Sequence, residues 1–187
     1  VLAKAKAKAN RVKCVNNLVT INKAFNSFAN DNKNDHRFPW NLLPDQINNN
    51  FSNSSGKDNL GMIFAVPAIK QDIASAKVLL SPCDPGREAD SEAAAKNWGS
   101  YDATAGRAVP ADAISYYLVN GADSLRPTTI MATTRNLSSC DIGGSTKWIG
   151  NDDPNGANDK IMAGLSSSQG QLTTVDGGAR QANNADL

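Results

Sequence analysis

Histidine and cysteine are scarce in this sequence, whose 187 residues include one histidine and three cysteines. Cys14, Cys83 and Cys140 lie far apart, and together with His36 they match no spacing of zinc ligands. The single histidine lies in the polar turn sequence NDHRFP, so no Ser–His–Asp triad can be built around it. We therefore predict that His36 is a solvated loop residue and that the chain is not an enzyme.

Long apolar runs and an excess of charge are also absent. The chain has no run of about 18 apolar residues, the length that a membrane-spanning helix requires. Its formal net charge is +1, which implies no general attraction to nucleic acid or to acidic substrates. Nucleotide-binding glycine motifs are missing too, because SSGKD lacks the upstream glycine of a phosphate-binding loop. These absences favour a structural or binding protein without a nucleic-acid partner.

The strongest positive pattern lies in the first 40 residues. Apolar residues recur at spacings of three and four from Val15 to Ala29, which predicts one amphipathic helix over residues 2–31. Residues 3–9 alternate Ala and Lys, which are good helix formers but offer no wide apolar face. We expect this part to project from the domain or to pack against a neighbour. The helix also begins abruptly, without a starting Met or an N-cap residue, so we expect that an upstream segment has been removed.

The remainder predicts a mixed middle followed by β structure. Residues 41–58 are a polar region ending in a loop, 59–75 a helix broken at Pro67, 76–82 a short strand, and 88–98 a helix. Later candidate strands are 113–119, 128–134, 146–150, 170–176 and 179–182.

Asp176-Gly177-Gly178 predicts a hairpin turn between the last two strands. We therefore predict one α+β domain over 1–187, with a helical stem at 1–31 and a globular head at 32–187. The helix should pack one side on an antiparallel sheet built from residues 113–182, through Leu18, Ile21, Phe25 and Phe28.

Four stretches together resemble one protein family. CVNNLVTINKAFNSFANDN, followed by RFPW, resembles the region after the hydrophobic segment in pilin-like proteins of planctomycetes and verrucomicrobia, which carry a prepilin-type cleavage and methylation motif. LLSPCDPGR resembles their Cys-Pro-Ser-Asp-Pro element. AISYYLVNGADSLRPTTIMATTRNL resembles their Ser-Tyr strand and the strand ending in Asp-Arg-Asn. GQLTTVDGGARQ resembles their closing hairpin. Thr134 stands where that family has Asp, Cys83 is displaced within its element, and SSSQG replaces a usual histidine.

The resemblance implies a non-enzymatic, pilin-like subunit of a type II secretion pseudopilus or a type IV pilus-like surface filament. Such a subunit is anchored in the inner membrane by an apolar N-terminal helix, then enters a periplasmic or cell-surface filament. Its partners are other pilin-like subunits and the assembly machinery. The alternative is a surface-displayed module that binds glycan or protein through the polar loops at 41–58 and 136–160. The upstream sequence discriminates, since a prepilin cleavage site supports the first interpretation and an ordinary signal peptide the second.

The best ligand candidate is the acidic stretch NDDPNGANDK at 151–160. Asp152, Asp153, Asn155 and Asp159 offer oxygen ligands of the kind Ca²⁺ prefers, although their spacing does not fit an EF-hand. The resemblance adds that major pseudopilins hold a structural calcium in a loop near their C-terminal sheet. The alternative is a solvated turn rich in Asp and Asn.

Three cysteines allow one disulfide and one free thiol, in three pairings. Because Cys83 and Cys140 both lie in the predicted head, we favour that pair over Cys14 with Cys83. The polar, loop-rich composition and the resemblance both predict an extracytoplasmic protein.

Overall fold

The computed structural model describes residues 1–153 and 161–187 and shows an α+β architecture. A 29-residue helix, α1, spans Leu2–Asn30. The middle of the chain forms shorter helices: α2 Pro44–Asn50, α3 Leu60–Phe64, α4 Pro67–Ile73 and α5 Glu88–Lys96. The sheet follows with β1 Tyr116–Leu118, β2 Ile130–Thr134, β3 Gln169–Thr174 and β4 Ala179–Asn183.

The sheet is an antiparallel meander in which each strand pairs with the next along the chain. The predicted hairpin turn joins β3 to β4 and is confirmed. Gly177 adopts φ +98°, a left-handed conformation that glycine accepts at little cost. The Asp176 carboxylate accepts a hydrogen bond of 3.0 Å from the backbone N–H of Gly178, which closes the turn.

The apolar side of α1 is buried as predicted, but its aromatic partners come from the middle of the chain. Phe25 is fully buried, and its ring centroid lies 5.6 Å from that of Trp40 and 5.7 Å from that of Phe64. The prediction that Phe25 packs on the sheet was therefore incomplete, because it did not include these aromatic partners. The 40–73 region supplies a second wall against the helix, and all these side chains belong to one apolar cluster.

The contact between α1 and the last hairpin is polar. Asn22 donates from Nδ2 to the Thr173 hydroxyl at 2.8 Å and to the Thr174 carbonyl at 2.6 Å. Asn26 donates to the Val175 carbonyl at 3.0 Å. Asn22 is 2% exposed, so these bonds satisfy an amide that would otherwise be costly to bury. The asparagines thus fix where the helix meets the end of β3.

The opposite face of the sheet is covered by Trp148. This side chain is buried against Leu172 and Ala182, and its ring lies on Gly170. The predicted strand at 146–150 is wrong, since only the isolated bridge between Leu137 and Trp148 forms there. The segment instead crosses the sheet as a cover.

Gly170→Ala is expected to lower the unfolding free energy by about 1–3 kcal/mol, because overpacking a tight core forces neighbours to move. A Cβ at Gly170 would lie 2.1 Å from a ring carbon of Trp148. Urea unfolding of Gly170→Ala measures this loss. Gly121→Ala is the matched control, since a Cβ there meets no atom within 4 Å. Equal midpoints for the two variants would contradict the packing of Trp148 on Gly170.

Two further segments differ from the predictions. The predicted strand at 76–82 is instead a 3₁₀ turn, Ala76–Leu79, whose start is capped by Ser75 through a 3.2 Å bond from the Lys77 N–H. The polar region at 41–58 is not only loop: Pro44 begins α2, and 54–58 is a second 3₁₀ turn.

The remaining elements follow the pattern closely. The break at Pro67 is confirmed, because α3 ends at Phe64 and α4 begins at Pro67, which lacks the N–H that a continuous helix would need. The helix predicted at 88–98 is α5. The strand predicted at 113–119 is shortened, because 111–113 form a 3₁₀ turn.

Candidate functional site

The first half of α1 projects from the head. No residue before Cys14 is buried, whereas Leu18, Ile21 and Phe25 are fully buried. The predicted helical stem at 1–31 is therefore partly built into the head, and from here on the word stem is used for residues 2–13 only. At a rise of about 1.5 Å per residue, the stem is roughly 18 Å long. Its base still contacts the head, because the Arg11 carbonyl accepts a hydrogen bond of 3.2 Å from Gln171 Nε2.

The stem carries a narrow uncharged stripe. Leu2, Ala5, Ala9 and Val12 recur at spacings of three and four and are all exposed. By helical geometry, this stripe lies opposite the side that α1 buries further along. Leu2 and Val12 are 84% and 53% exposed, which is unusual for large apolar side chains that repeat on one side of a helix. Among the helices of the described residues, none combines the length and apolar composition needed to cross a membrane.

A buried charge cluster joins the stretches that carry the family resemblance. Asp84 of SPCDPGR accepts two hydrogen bonds from Arg135 of TTRNL, at 2.7 Å from Nε and 2.8 Å from a terminal nitrogen. Ser115 of ISYYLV donates to the same carboxylate at 2.8 Å. The side chain of Asp84 is 1% exposed and that of Arg135 13%. This fork-shaped pair ties the loop after the Ala76–Leu79 turn to β2.

Neighbouring residues of the same stretches extend the network. Asn136 donates from Nδ2 to the Ile149 carbonyl at 2.7 Å and to the Gln169 carbonyl at 2.8 Å, which joins β2 to the cover segment and to β3. Thr134 accepts from the backbone N–H of Gln171 at 3.1 Å. The sequence resemblance identified these stretches, but it gave no signal that they hold one another in place.

A thiol cluster lies where α1 meets the head. The Cys14 thiol accepts hydrogen bonds from the hydroxyls of Ser81, at 3.1 Å, and Tyr116, at 3.3 Å. Burial raises the pKa of Cys14 to about 12 and also raises the pKa of Tyr116. Asn17 donates to the Tyr116 hydroxyl at 3.1 Å. Sequence reasoning missed Ser81 and Tyr116 as partners of Cys14.

The structure shows the protein with its thiols reduced: Cys14, Cys83 and Cys140 are all free. The Cys83–Cys140 pairing therefore stays a prediction. Cys83 is buried against Met162 and Leu165, whereas Cys140 is exposed. The pairing was predicted because Cys83 and Cys140 both lie in the head, and the structure places one of them in the core and the other at the surface.

The predicted calcium loop is described only in part. Asn155 and Asp159 lie outside the described residues, as do all residues from 154 to 160. Asp152 accepts a hydrogen bond from the backbone N–H of Ser167, and that bond lowers the pKa of Asp152. Asp153 is 8% exposed. Within residues 1–153 and 161–187, no group of three or more His, Cys, Asp or Glu side chains is arranged to hold a metal ion. The calcium site stays a prediction.

His36 lies in an exposed turn after α1. Asp35 and His36 both have positive φ, 48° and 58°, and the His36 carbonyl accepts a hydrogen bond from Ser124. The solvated position predicted for His36 is therefore what the structure shows.

An open groove of about 500 Å³ lies between α4 and the segment after α5. Its floor contains Trp98 and Tyr101, whose rings meet edge to face with centroids 6.3 Å apart. Lys70 lies over the Trp98 ring at 5.3 Å and donates to the Tyr101 carbonyl at 2.6 Å. Burial lowers the pKa of Lys70. Aromatic faces beside polar groups suit ligands that stack and form hydrogen bonds.

Comparisons of this chain with protein-family models, curated proteins and solved structures find no match.

Proposed function

We propose that this chain is a non-enzymatic, pilin-like subunit of a type II secretion pseudopilus or a type IV pilus-like surface filament. The observation that carries the proposal is the division of α1. Its second half is built into the head, while the stem has no buried residue and presents an uncharged stripe.

The division of α1 suits assembly by helix packing. A helix joined rigidly to a head can hold that head at a fixed position when its free half packs against equivalent helices. Small residues such as Ala5 and Ala9 allow close approach of helices, and Leu2 and Val12 add apolar area. The lysines flank the stripe rather than interrupt it.

The proposal includes the setting and the partners. An apolar segment continuing α1 on its N-terminal side would anchor the subunit in the inner membrane before assembly. The head would then stand in the periplasm or at the cell surface. The partners are other pilin-like subunits and the secretion or pilus assembly machinery.

The test is expression of the precursor together with a prepilin peptidase. We expect the precursor to be cleaved and to appear in a filament fraction. Val12→Glu in the stem should reduce its incorporation, because it places a charge in the stripe. Leu125→Glu is the matched control: Leu125 is 76% exposed on the head, and its replacement should leave incorporation unchanged. An uncleaved precursor that never enters a filament would refute the proposal.

Amide hydrogen exchange should proceed at different rates in the two halves of α1 when the chain is isolated and monomeric. We expect the stem to exchange faster than residues 18–29 by orders of magnitude, because local opening costs little where no side chain is buried. Exchange followed by mass spectrometry measures both halves of one helix in one sample. Equal protection of the two halves in dilute monomer would contradict a free stem.

The alternative function, a surface-displayed binding module for glycan or protein, draws support from the groove at Trp98. The sequence predicted recognition through the loops at 41–58 and 136–160, but the aromatic groove lies outside both loops. A sugar ring stacking on Trp98 while bonding to Lys70 or Asp102 is the chemistry that fits it.

Tryptophan fluorescence tests the alternative with soluble oligosaccharides as probes. Trp40 and Trp148 are 8% and 1% exposed, so a ligand in the groove should change the emission of Trp98 above all. Trp98→Phe should abolish the change. Saturable binding by an otherwise intact subunit that fails to assemble would favour the binding module.

A further inference from the structure

Cys14 and Cys83 meet at one hydroxyl group. The Ser81 hydroxyl donates to the Cys14 sulfur at 3.1 Å and accepts from the Cys83 backbone N–H at 3.1 Å. The two thiols therefore approach each other from distant parts of the chain, one in α1 and one in the loop before Asp84.

We propose that Cys14 and Cys83 form a disulfide that fastens α1 to the head, with Cys140 as the remaining thiol. The structure described above is then the reduced form of this pair. Bond formation requires the Ser81 hydroxyl to turn aside, after which Ser81 can still accept from the Cys83 N–H. Cys140 is exposed, whereas both members of the proposed pair are buried.

The chemistry is thiol–disulfide exchange with a disulfide-bearing oxidant, either a small molecule or a protein. The thiolate of one cysteine attacks a sulfur of the oxidant, forming a mixed disulfide and releasing one oxidant thiolate. The second cysteine, as a thiolate, attacks the sulfur of its partner in the mixed disulfide. The Cys14–Cys83 bond forms, the second oxidant sulfur leaves, and the oxidant ends as two thiols. Two protons and two electrons pass from the protein to the oxidant side.

Burial of the Cys14 and Cys83 thiols determines the stage of folding at which they can react. It raises the pKa of Cys14 to about 12 and raises the pKa of Cys83, so the folded protein keeps both as unreactive thiols. Exchange should be fast while α1 is not yet docked and slow afterwards. The same burial protects the bond from reductants once it has formed. The inference goes beyond the proposed filament role and does not depend on it.

Peptide mapping of the unaltered chain is the direct test. The reduced protein is refolded in a buffer of glutathione and glutathione disulfide, its free thiols are blocked, and it is digested with trypsin without reduction. The three cysteines fall in separate peptides, 14–23, 78–87 and 136–147. We expect 14–23 linked to 78–87, and a blocked thiol in 136–147. A link between 78–87 and 136–147, or three blocked thiols, would overturn the proposal.

Thermal unfolding supplies a second readout. In a Cys140→Ser background, the oxidised protein should melt about 10 °C above the reduced protein, because the bond closes a long loop in the unfolded chain. Cys14→Ser in the same background should melt at one temperature with or without reductant. If reductant lowered the melting temperature equally in the Cys140→Ser protein and in the Cys14→Ser/Cys140→Ser protein, the Cys14–Cys83 bond would not be the cause of the shift. If Cys14→Ser fails to fold, the mapping of the unaltered chain still decides.

Discussion

Phe25→Ala is expected to lower the unfolding free energy by about 3–5 kcal/mol, the usual cost of emptying a large aromatic site in a core. Phe25 is fully buried and lies between Trp40 and Phe64. The surrounding structure relaxes only partly around such a cavity, so the two rings should fill only part of the space that the phenyl ring leaves. Urea unfolding followed by circular dichroism measures the loss.

Val12→Ala is the matched control on the same helix. Val12 is 53% exposed in the stem, so this variant should unfold within about 0.5 kcal/mol of the unaltered chain. The contrast tests the register of α1 directly, since a helix rotated by half a turn would reverse the two results. A loss below about 1 kcal/mol for Phe25→Ala would mean that the helix is not packed as described.

The pattern of apolar residues was sufficient to predict α1 and the side that it buries. It was sufficient because apolar residues that recur at spacings of three and four over such a length fall on one side of an α-helix. The hairpin at Asp176 to Gly178 and the break at Pro67 were predictable for a similar reason. In both places the covalent structure of glycine or proline limits the backbone locally.

Features set by distant contacts could not be predicted in the same way. Trp148 lies in a short apolar run that reads as a strand, but it covers the sheet because Gly170 leaves room for its ring. Asn22 and Asn26 lie four residues apart beside buried positions of the helix, but the sequence does not show what these two amides bind. In the structure they donate to carbonyls of the β3–β4 hairpin. Local pattern carries no information about which segment will lie opposite.

The candidate ligand site stays untested. The acidic stretch was chosen for its oxygen atoms, and two of its four candidate ligands, Asn155 and Asp159, lie outside the described residues. The Cys83–Cys140 pairing was chosen because both residues belong to the head, and the sequence could not show that Cys83 is buried while Cys140 is exposed. Asp84 and Arg135 both lie in the stretches quoted for the resemblance, but the resemblance gave no indication that they form an ion pair.

Asp84→Ala is expected to cost about 3–5 kcal/mol of unfolding free energy, because it leaves the Arg135 guanidinium buried without its carboxylate. Ser115 loses the acceptor of its 2.8 Å bond at the same time. The double variant Asp84→Ala/Arg135→Met should recover much of this loss, since it removes the unpaired charge as well. Most of the cost should therefore appear as coupling between the two sites in a double-mutant cycle.

The exposed pair of Lys57 and Asp58 is the matched control, since its atoms lie 3.0 Å apart, within hydrogen-bond distance as in the buried pair, but the Asp58 side chain is 62% exposed. Asp58→Ala should change the unfolding free energy by only about 0–1 kcal/mol, because water screens such a pair. The comparison separates burial from distance as the origin of the effect. Additive losses for Asp84→Ala and Arg135→Met would show that the two side chains act independently, and the cluster would then not be what holds the SPCDPGR loop against β2.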